Sequence, residues 1–87
     1  MARLDMTGAA ETGTSNSIDE TLFQLGIVNA TGRDGEPDLV AAHKWFNLAA
    51  MQGNDAAARY RQEIALEMTT AEIAKAQRAA REWIHTH

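Results

Sequence analysis

The chain has 87 residues, with twelve acidic and eight basic side chains and no cysteine. Without cysteine it forms neither a disulfide nor a thiolate metal site, which excludes zinc ribbons, redox motifs and cysteine nucleophiles. The formal net charge of −4 repels the phosphate backbone of a nucleic acid, so we expect no nucleic-acid partner.

Targeting signals are not evident in the sequence. An acidic residue, Asp5, stands early in the chain, and the apolar core of a secretory signal is missing around it. No apolar run approaches the roughly 20 residues that a membrane-spanning helix needs. We therefore expect a cytoplasmic protein without a membrane span, and docking on a membrane complex stays open.

The first residues differ in pattern from the remainder. Residues 1–16 contain two glycines and a cluster of Thr, Ser and Asn, and they show neither helical nor strand periodicity. We predict a flexible tail for them and one helical domain over residues 17–87. The first helix should begin at Ser17, because Ser17 and Glu20 have the spacing of a capping box, and it should end near Asn29 or Ala30.

This first predicted helix is apolar on two faces. One face comprises Ile18, Leu22, Leu25 and Gly26. The other face comprises Phe23, Ile27 and Ala30. Since the next helix covers a single face, we expect the side centred on Phe23 and Ile27 to be left uncovered.

A turn separates the first helix from the second. Two glycines and Pro37 lie within residues 31–37, a composition that stops one helix and allows the next to start. The second helix is predicted from Asp38 to about Gln52. Gly53 should end it in the left-handed conformation that glycine adopts without strain.

Two more helices are predicted in the C-terminal part. Asn54 or Asp55 should cap a third helix over about 55–68, joined to the second by almost no loop. Thr69 and Glu72 form a capping box that opens the fourth helix. Its predicted inner face consists of Ile73, Ala76, Gln77, Ala80, Trp83 and Ile84.

Three motifs follow one another within residues 20–53. They are the pair Leu25-Gly26, a glycine-rich turn ending in Asp38, and a segment containing Ala42, Trp45, Phe46, Ala49, Ala50 and Gly53. Their order and spacing resemble a Sel1-like repeat, a tetratricopeptide-like unit of two antiparallel helices. Asn29 departs from the pattern, which usually has an aromatic residue at that place.

The resemblance does not continue through a second full repeat. The residues after Gly53 start like one, but Gln62 and Glu63 replace the expected Leu-Gly pair. The resemblance therefore implies one repeat, residues 20–53, followed by a helical C-terminal cap, residues 54–87. The predicted fold is all-α, with about four helices in antiparallel hairpins and a disordered N-terminal tail.

The resemblance also implies a role as an adaptor. Repeats of this type present a grooved helical surface to a peptide or another subunit, and the repeat itself performs no chemistry. Helical repeats usually need about three units for stability, and this chain has fewer than two. We therefore predict that another protein or a second copy of the chain covers the uncovered apolar side. The predicted partner-binding residues are Phe23, Ile27, Val28 and Trp83.

Two other functions stay open. One is an accessory structural subunit of a larger complex, including a complex at a membrane. The other is a small metal-dependent or acid/base enzyme, which would depend on His43, His85 and His87. We expect His43 to be half-exposed or hydrogen-bonded, and residues two apart, such as His85 and His87, do not share a helix face. We accordingly predict a protein that is not an enzyme, without catalytic residue, metal site or cofactor.

Overall fold

The computed structural model describes the backbone of residues 9–33 and 35–87, and side chains from residue 18 onward within those ranges. This part of the chain folds into four helices and no strands. The helices are α1 (Ala9–Thr31), α2 (Leu39–Met51), α3 (Asp55–Ala65) and α4 (Thr70–Thr86). The all-α class and the number of helices predicted from the sequence are confirmed.

The first helix begins earlier than predicted. α1 starts at Ala9, so Ser17 lies inside the helix and is not its N-cap. Once a helix has formed, each added residue avoids the cost of nucleation, and weak helix formers lose only a few tenths of a kcal/mol each, about 1 for glycine. Of the tail predicted for residues 1–16, residues 1–8 lie outside the described residues and residues 9–16 have helical backbone.

Side-chain caps define where α2 and α3 begin. The Asp38 carboxylate accepts a hydrogen bond from the backbone N–H of Ala41 at 3.0 Å. The Asn54 side chain accepts one from the backbone N–H of Ala57 at 2.8 Å. Each cap satisfies an amide that has no partner within its own helix. The cap of α3 was predicted at Asn54 or Asp55, and the structure shows that Asn54 is the cap. Asp38 was predicted as the first residue of α2 and is instead its N-cap.

The reversal between α2 and α3 depends on Gly53. Its φ is +98°, in the left-handed region predicted for it. The backbone N–H of Gly53 donates to the carbonyl of Ala50 at 2.9 Å, and that of Asn54 donates to the carbonyl of Ala49 at 3.1 Å. These bonds use the free carbonyls at the end of α2. α3 consequently starts directly after the turn and packs against α2.

A capping box opens α4. The Thr69 hydroxyl accepts a hydrogen bond from the backbone N–H of Glu72 at 3.1 Å, while the backbone N–H of Thr69 donates to the Glu72 carboxylate at 2.8 Å. α3 ends at Ala65, three residues before the predicted end, and residues 66–69 lead into the box. On α4, Ala76 and Ala80 are buried as predicted, whereas Gln77 and Ile84 are exposed.

α2 is the central helix of the fold. α1, α3 and α4 all pack against it, and α1 also contacts α3. Small side chains let the helices approach closely, since most of the buried core residues are alanines. Among the described residues the buried apolar side chains are Leu22, Ala42, Phe46, Leu48, Ala49, Ala57, Ala76 and Ala80.

Phe46 is the largest side chain of this core. It is 0% exposed, and its ring meets the rings of Phe23 at 5.8 Å and Tyr60 at 5.6 Å between centroids. A Cβ atom at position 26 would lie 2.5 Å from two carbons of that ring. Gly26 therefore leaves the space that Phe46 occupies in the core.

Candidate interaction surface

The structure does not leave the Phe23 and Ile27 side of α1 uncovered. Both residues pack against the core cluster, and the ring of Phe23 meets the ring of Tyr60 edge-on at 5.4 Å. The prediction of an uncovered side there is wrong, because Phe46 of α2 and Tyr60 of α3 both lie against Phe23. Phe23 and Ile27 are half-buried as a result.

The opposite side of α1 is the one that faces outward. Ile18 is 45% exposed and Leu25 is 37% exposed. Five neighbouring residues line a shallow groove of about 290 Å³ here, namely Glu20, Thr21, Gln24, Leu25 and Val28. We call these five residues and Ile18 the outer face of α1. Of the predicted partner-binding residues, Val28 lies on it.

Spacing explains why this face presents apolar side chains in a row. Ile18, Thr21, Leu25 and Val28 are separated by three, four and three residues, so they lie along one stripe of the helix. Leu22 and Gly26 stand next to the stripe but turn toward α2, where both are buried. The sequence pattern placed Leu25 and Leu22 on the same face. In the structure Leu22 is buried and Leu25 is exposed, so the edge of the covered surface of α1 runs between these two side chains.

The charges on α1 have one sign. Its sequence contains Glu11, Asp19 and Glu20 and no Lys, Arg or His. Asp19 accepts a hydrogen bond from the Asn54 side chain at 3.0 Å, which joins α1 to the start of α3. Glu20 is exposed beside the groove and accepts from the Gln24 side chain at 3.3 Å. The outer face of α1 therefore combines apolar contact with a negative charge.

A second groove lies on α3. Arg59, Gln62, Glu63 and Leu66 line about 420 Å³, and we call these four residues the outer face of α3. Leu66 is 88% exposed, although leucine gains free energy from burial. The opposite side of α3 carries Tyr60 and Ile64, which pack toward the core. Sequence reasoning did not single out Leu66, since it falls at the end of a helix and outside its apolar stripe.

A third groove has a different chemistry. It occupies about 440 Å³ between the start of α2 and the connection from α3 to α4, and its lining includes Glu36, Asp38, Glu67 and Glu72. Asp38 and Glu72 are the helix-capping carboxylates described above. Over the described residues there is no group of three or more His, Cys, Asp or Glu side chains able to hold a metal ion. Two of the four acids of this groove thus have a local structural explanation in the caps.

Trp83 is half-buried at the end of α4. Its ring meets the ring of Trp45 edge-on at 6.1 Å and stacks on the ring of His87 at 4.3 Å. The Lys44 ammonium lies 4.1 Å from the centroid of the Trp45 ring, which favours a cation–π contact. The predicted partner-binding residue Trp83 is therefore largely engaged by its own chain and lies on neither outer face.

His43 is more deeply buried than we expected. It is 4% exposed, and its Nδ1 atom has no hydrogen-bond partner among the described residues. Burial, followed by the nearby Arg61 guanidinium, lowers the pKa of His43 below its usual 6.5, and a backbone hydrogen bond opposes this. The imidazole is therefore neutral at pH 7, and it lines none of the three grooves.

Comparison of the chain with protein-family models, with curated proteins and with solved structures gives no match. Within the part of the chain that the structure describes, none of the helices combines the length and the apolarity needed to cross a membrane.

Proposed function

We propose that this protein is a protein–protein interaction module that binds a helix of another protein, or a second copy of itself, on the outer face of α1. The observation that carries the proposal is the stripe with exposed Ile18 and Leu25 and half-buried Val28, on a helix whose Leu22 is buried and whose Phe23 and Ile27 pack against the core. Helical partners are commonly held by apolar anchors at this spacing on both helices. The interface would bury these side chains and remove the unfavourable contact with water.

The resemblance to a Sel1-like repeat supports the same proposal. α1 and α2 pack as the antiparallel pair that such a repeat would form, with Gly26 allowing close approach and Gly53 the reversal into α3. In repeat proteins each unit leaves faces that its neighbours cover. In this chain α3 and α4 cover α2 and part of α1, and the outer face of α1 is where a preceding unit would pack.

A non-catalytic role in the cytoplasm is part of the proposal. The α1 groove offers apolar contact, and two acids of the third groove already cap helices. His43 is buried and neutral, which favours a structural role over acid/base chemistry. The absence of cysteine suits the reducing cytoplasm.

The proposal is tested by photo-crosslinking in living cells. A photoreactive amino acid is placed at Leu25 in the outer face of α1, and a matched control is placed at Glu82, which is exposed on α4 and outside all three grooves. We expect a discrete protein adduct from position 25 and none above background from position 82. If position 25 gives no more adduct than position 82, the outer face of α1 is not a binding surface.

A further inference from the structure

Two surfaces of this chain expose apolar side chains and cannot cover each other. The outer face of α1 points away from α2, and the outer face of α3 points away from the core that Tyr60 and Ile64 contact. Because both helices pack against the same central helix, the two faces diverge within one molecule. A second molecule can bring one of each together.

The two faces have complementary apolar groups. On α1, Leu25 and Val28 line a shallow groove with Ile18 at its edge. Directly after α3, Leu66 projects almost fully into solvent and lines a larger groove of about 420 Å³. A projecting leucine and a shallow apolar groove are the elements from which interface anchors are built.

The charges beside these groups permit contact between unlike faces and oppose contact between two copies of α1. Glu20 stands beside the α1 groove, and α1 has no basic residue. The α3 groove is lined by both Arg59 and Glu63, so its side-chain charges cancel, and no hydrogen bond or ion pair holds Arg59 within the described part of the chain. Pairing α1 with α1 would instead place two acidic helices against each other, which repels them.

We propose, building on the proposed function, that a second copy of this chain covers the outer face of α1 with its outer face of α3. Leu66 of one copy then lies on Leu25 and Val28 of the other, with Arg59 facing Glu20. Each copy keeps one face free, so association is head to tail and continues into an open chain or a closed ring. One helix face on each side is a small interface, for which we expect a Kd of about 100 μM.

The decisive experiment blocks one face at a time. Leu25→Asp places a charge in the α1 groove, and Leu66→Asp removes the leucine that projects from the outer face of α3. Because both positions are exposed, circular dichroism should show that each variant has the same helix content as the unmodified chain. Sedimentation equilibrium should find the unmodified chain associating, each variant monomeric alone, and an equimolar mixture forming a one-to-one pair. The mixture pairs because each variant retains the face that the other has lost.

Three results would overturn the head-to-tail arrangement. The unmodified chain could remain monomeric up to about 1 mM, ten times the expected Kd. Either variant could self-associate as well as the unmodified chain, which would show pairing between like faces. The mixture could fail to pair although both variants are folded.

Charge reversal provides an independent test of the residue pair. Glu20→Arg and Arg59→Glu should each weaken association about fivefold to tenfold, and the double variant should recover most of that loss. Glu63 shares the face of Arg59 and opposes its charge, so Glu63→Gln should strengthen association. Lys75→Glu, exposed on α4 and outside the α3 groove, serves as the control for net charge. A double variant as weak as the sum of its single variants contradicts the pairing.

The crosslinking experiment separates this inference from the proposed function. An adduct between position 25 and another copy of the chain supports both. An adduct to a different protein, from a chain that is monomeric in solution, supports the binding module and overturns the head-to-tail pairing. No adduct at position 25 overturns both.

Discussion

Replacing Gly26 by alanine adds one methyl group at the tightest contact between α1 and α2. The new Cβ would lie 2.5 Å from both Cδ1 and Cε1 of Phe46, where carbon atoms normally approach to about 3.5–4.0 Å. The Phe46 ring also contacts Phe23 and Tyr60, so it cannot move aside without displacing them. The clash must therefore separate α1 from α2 or force Phe46 out of its preferred rotamer.

The expected loss of stability follows from two opposing effects. Adding a methyl group to a filled core costs about 1–3 kcal/mol, and a contact roughly 1 Å too short points to the upper end. Alanine is favoured over glycine inside a helix by about 1 kcal/mol. The net loss in the free energy of unfolding is then about 2 kcal/mol, a large part of the ~5 kcal/mol that a domain of this size has.

Urea unfolding followed by circular dichroism measures this loss, and a double-mutant cycle tests its cause. Phe46→Leu removes the Cε and Cζ carbons of the ring and leaves a smaller side chain that can adjust, so Gly26→Ala should cost clearly less in that background than in the unmodified chain. Gln24→Ala, at an exposed position of the same helix, should change stability by less than about 0.5 kcal/mol. Equal losses from Gly26→Ala in both backgrounds would refute the contact with Phe46.

Three further predictions concern the core, the reversal and pH. Phe46→Ala should abolish cooperative unfolding, because truncating a buried phenylalanine costs about 3–5 kcal/mol, and a melt resembling that of the unmodified chain would contradict this. Gly53→Ala should destabilise by about 1–2 kcal/mol, since its φ of +98° is unfavourable for alanine, and an unchanged Tm would show that the turn adapts. Burial lowers the pKa of His43 in the folded state, so the unfolded chain binds a proton first as the pH falls. The free energy of unfolding should then be constant above about pH 7 and decrease below pH 6.5. The His43→Leu variant should not show this decrease. Equal pH profiles for the two proteins would exclude His43 as the source of the decrease.

The sequence predicted an uncovered apolar side on α1, and the structure exposes a different side of that helix. The sequence showed that α1 is apolar on two sides. The expectation that the Phe23 side lies outside the α1–α2 contact is wrong, because the Phe23 ring meets the ring of Phe46 on α2. Which residues are exposed depends on where α3 crosses, and Tyr60 of α3 lies against Phe23. Leu25, not Phe23, is left in solvent for this reason.

Local signals were sufficient for the helix starts of α2, α3 and α4 and for the reversal at Gly53. A cap needs a side-chain oxygen within three residues of an unpaired amide, and a left-handed turn needs a glycine, so both can be read from neighbouring letters of the sequence. The start of α1 at Ala9 could not be read in this way, because helix growth depends on cooperativity along the whole segment. His43 is buried because residues distant in the chain pack against it, and Leu66 is exposed because no such residues cover it. Neither outcome can be read from the neighbouring sequence. The sequence by itself thus determined the number of helices and the starts of α2, α3 and α4. The tertiary structure decided which faces of the helices are buried and which are exposed to solvent.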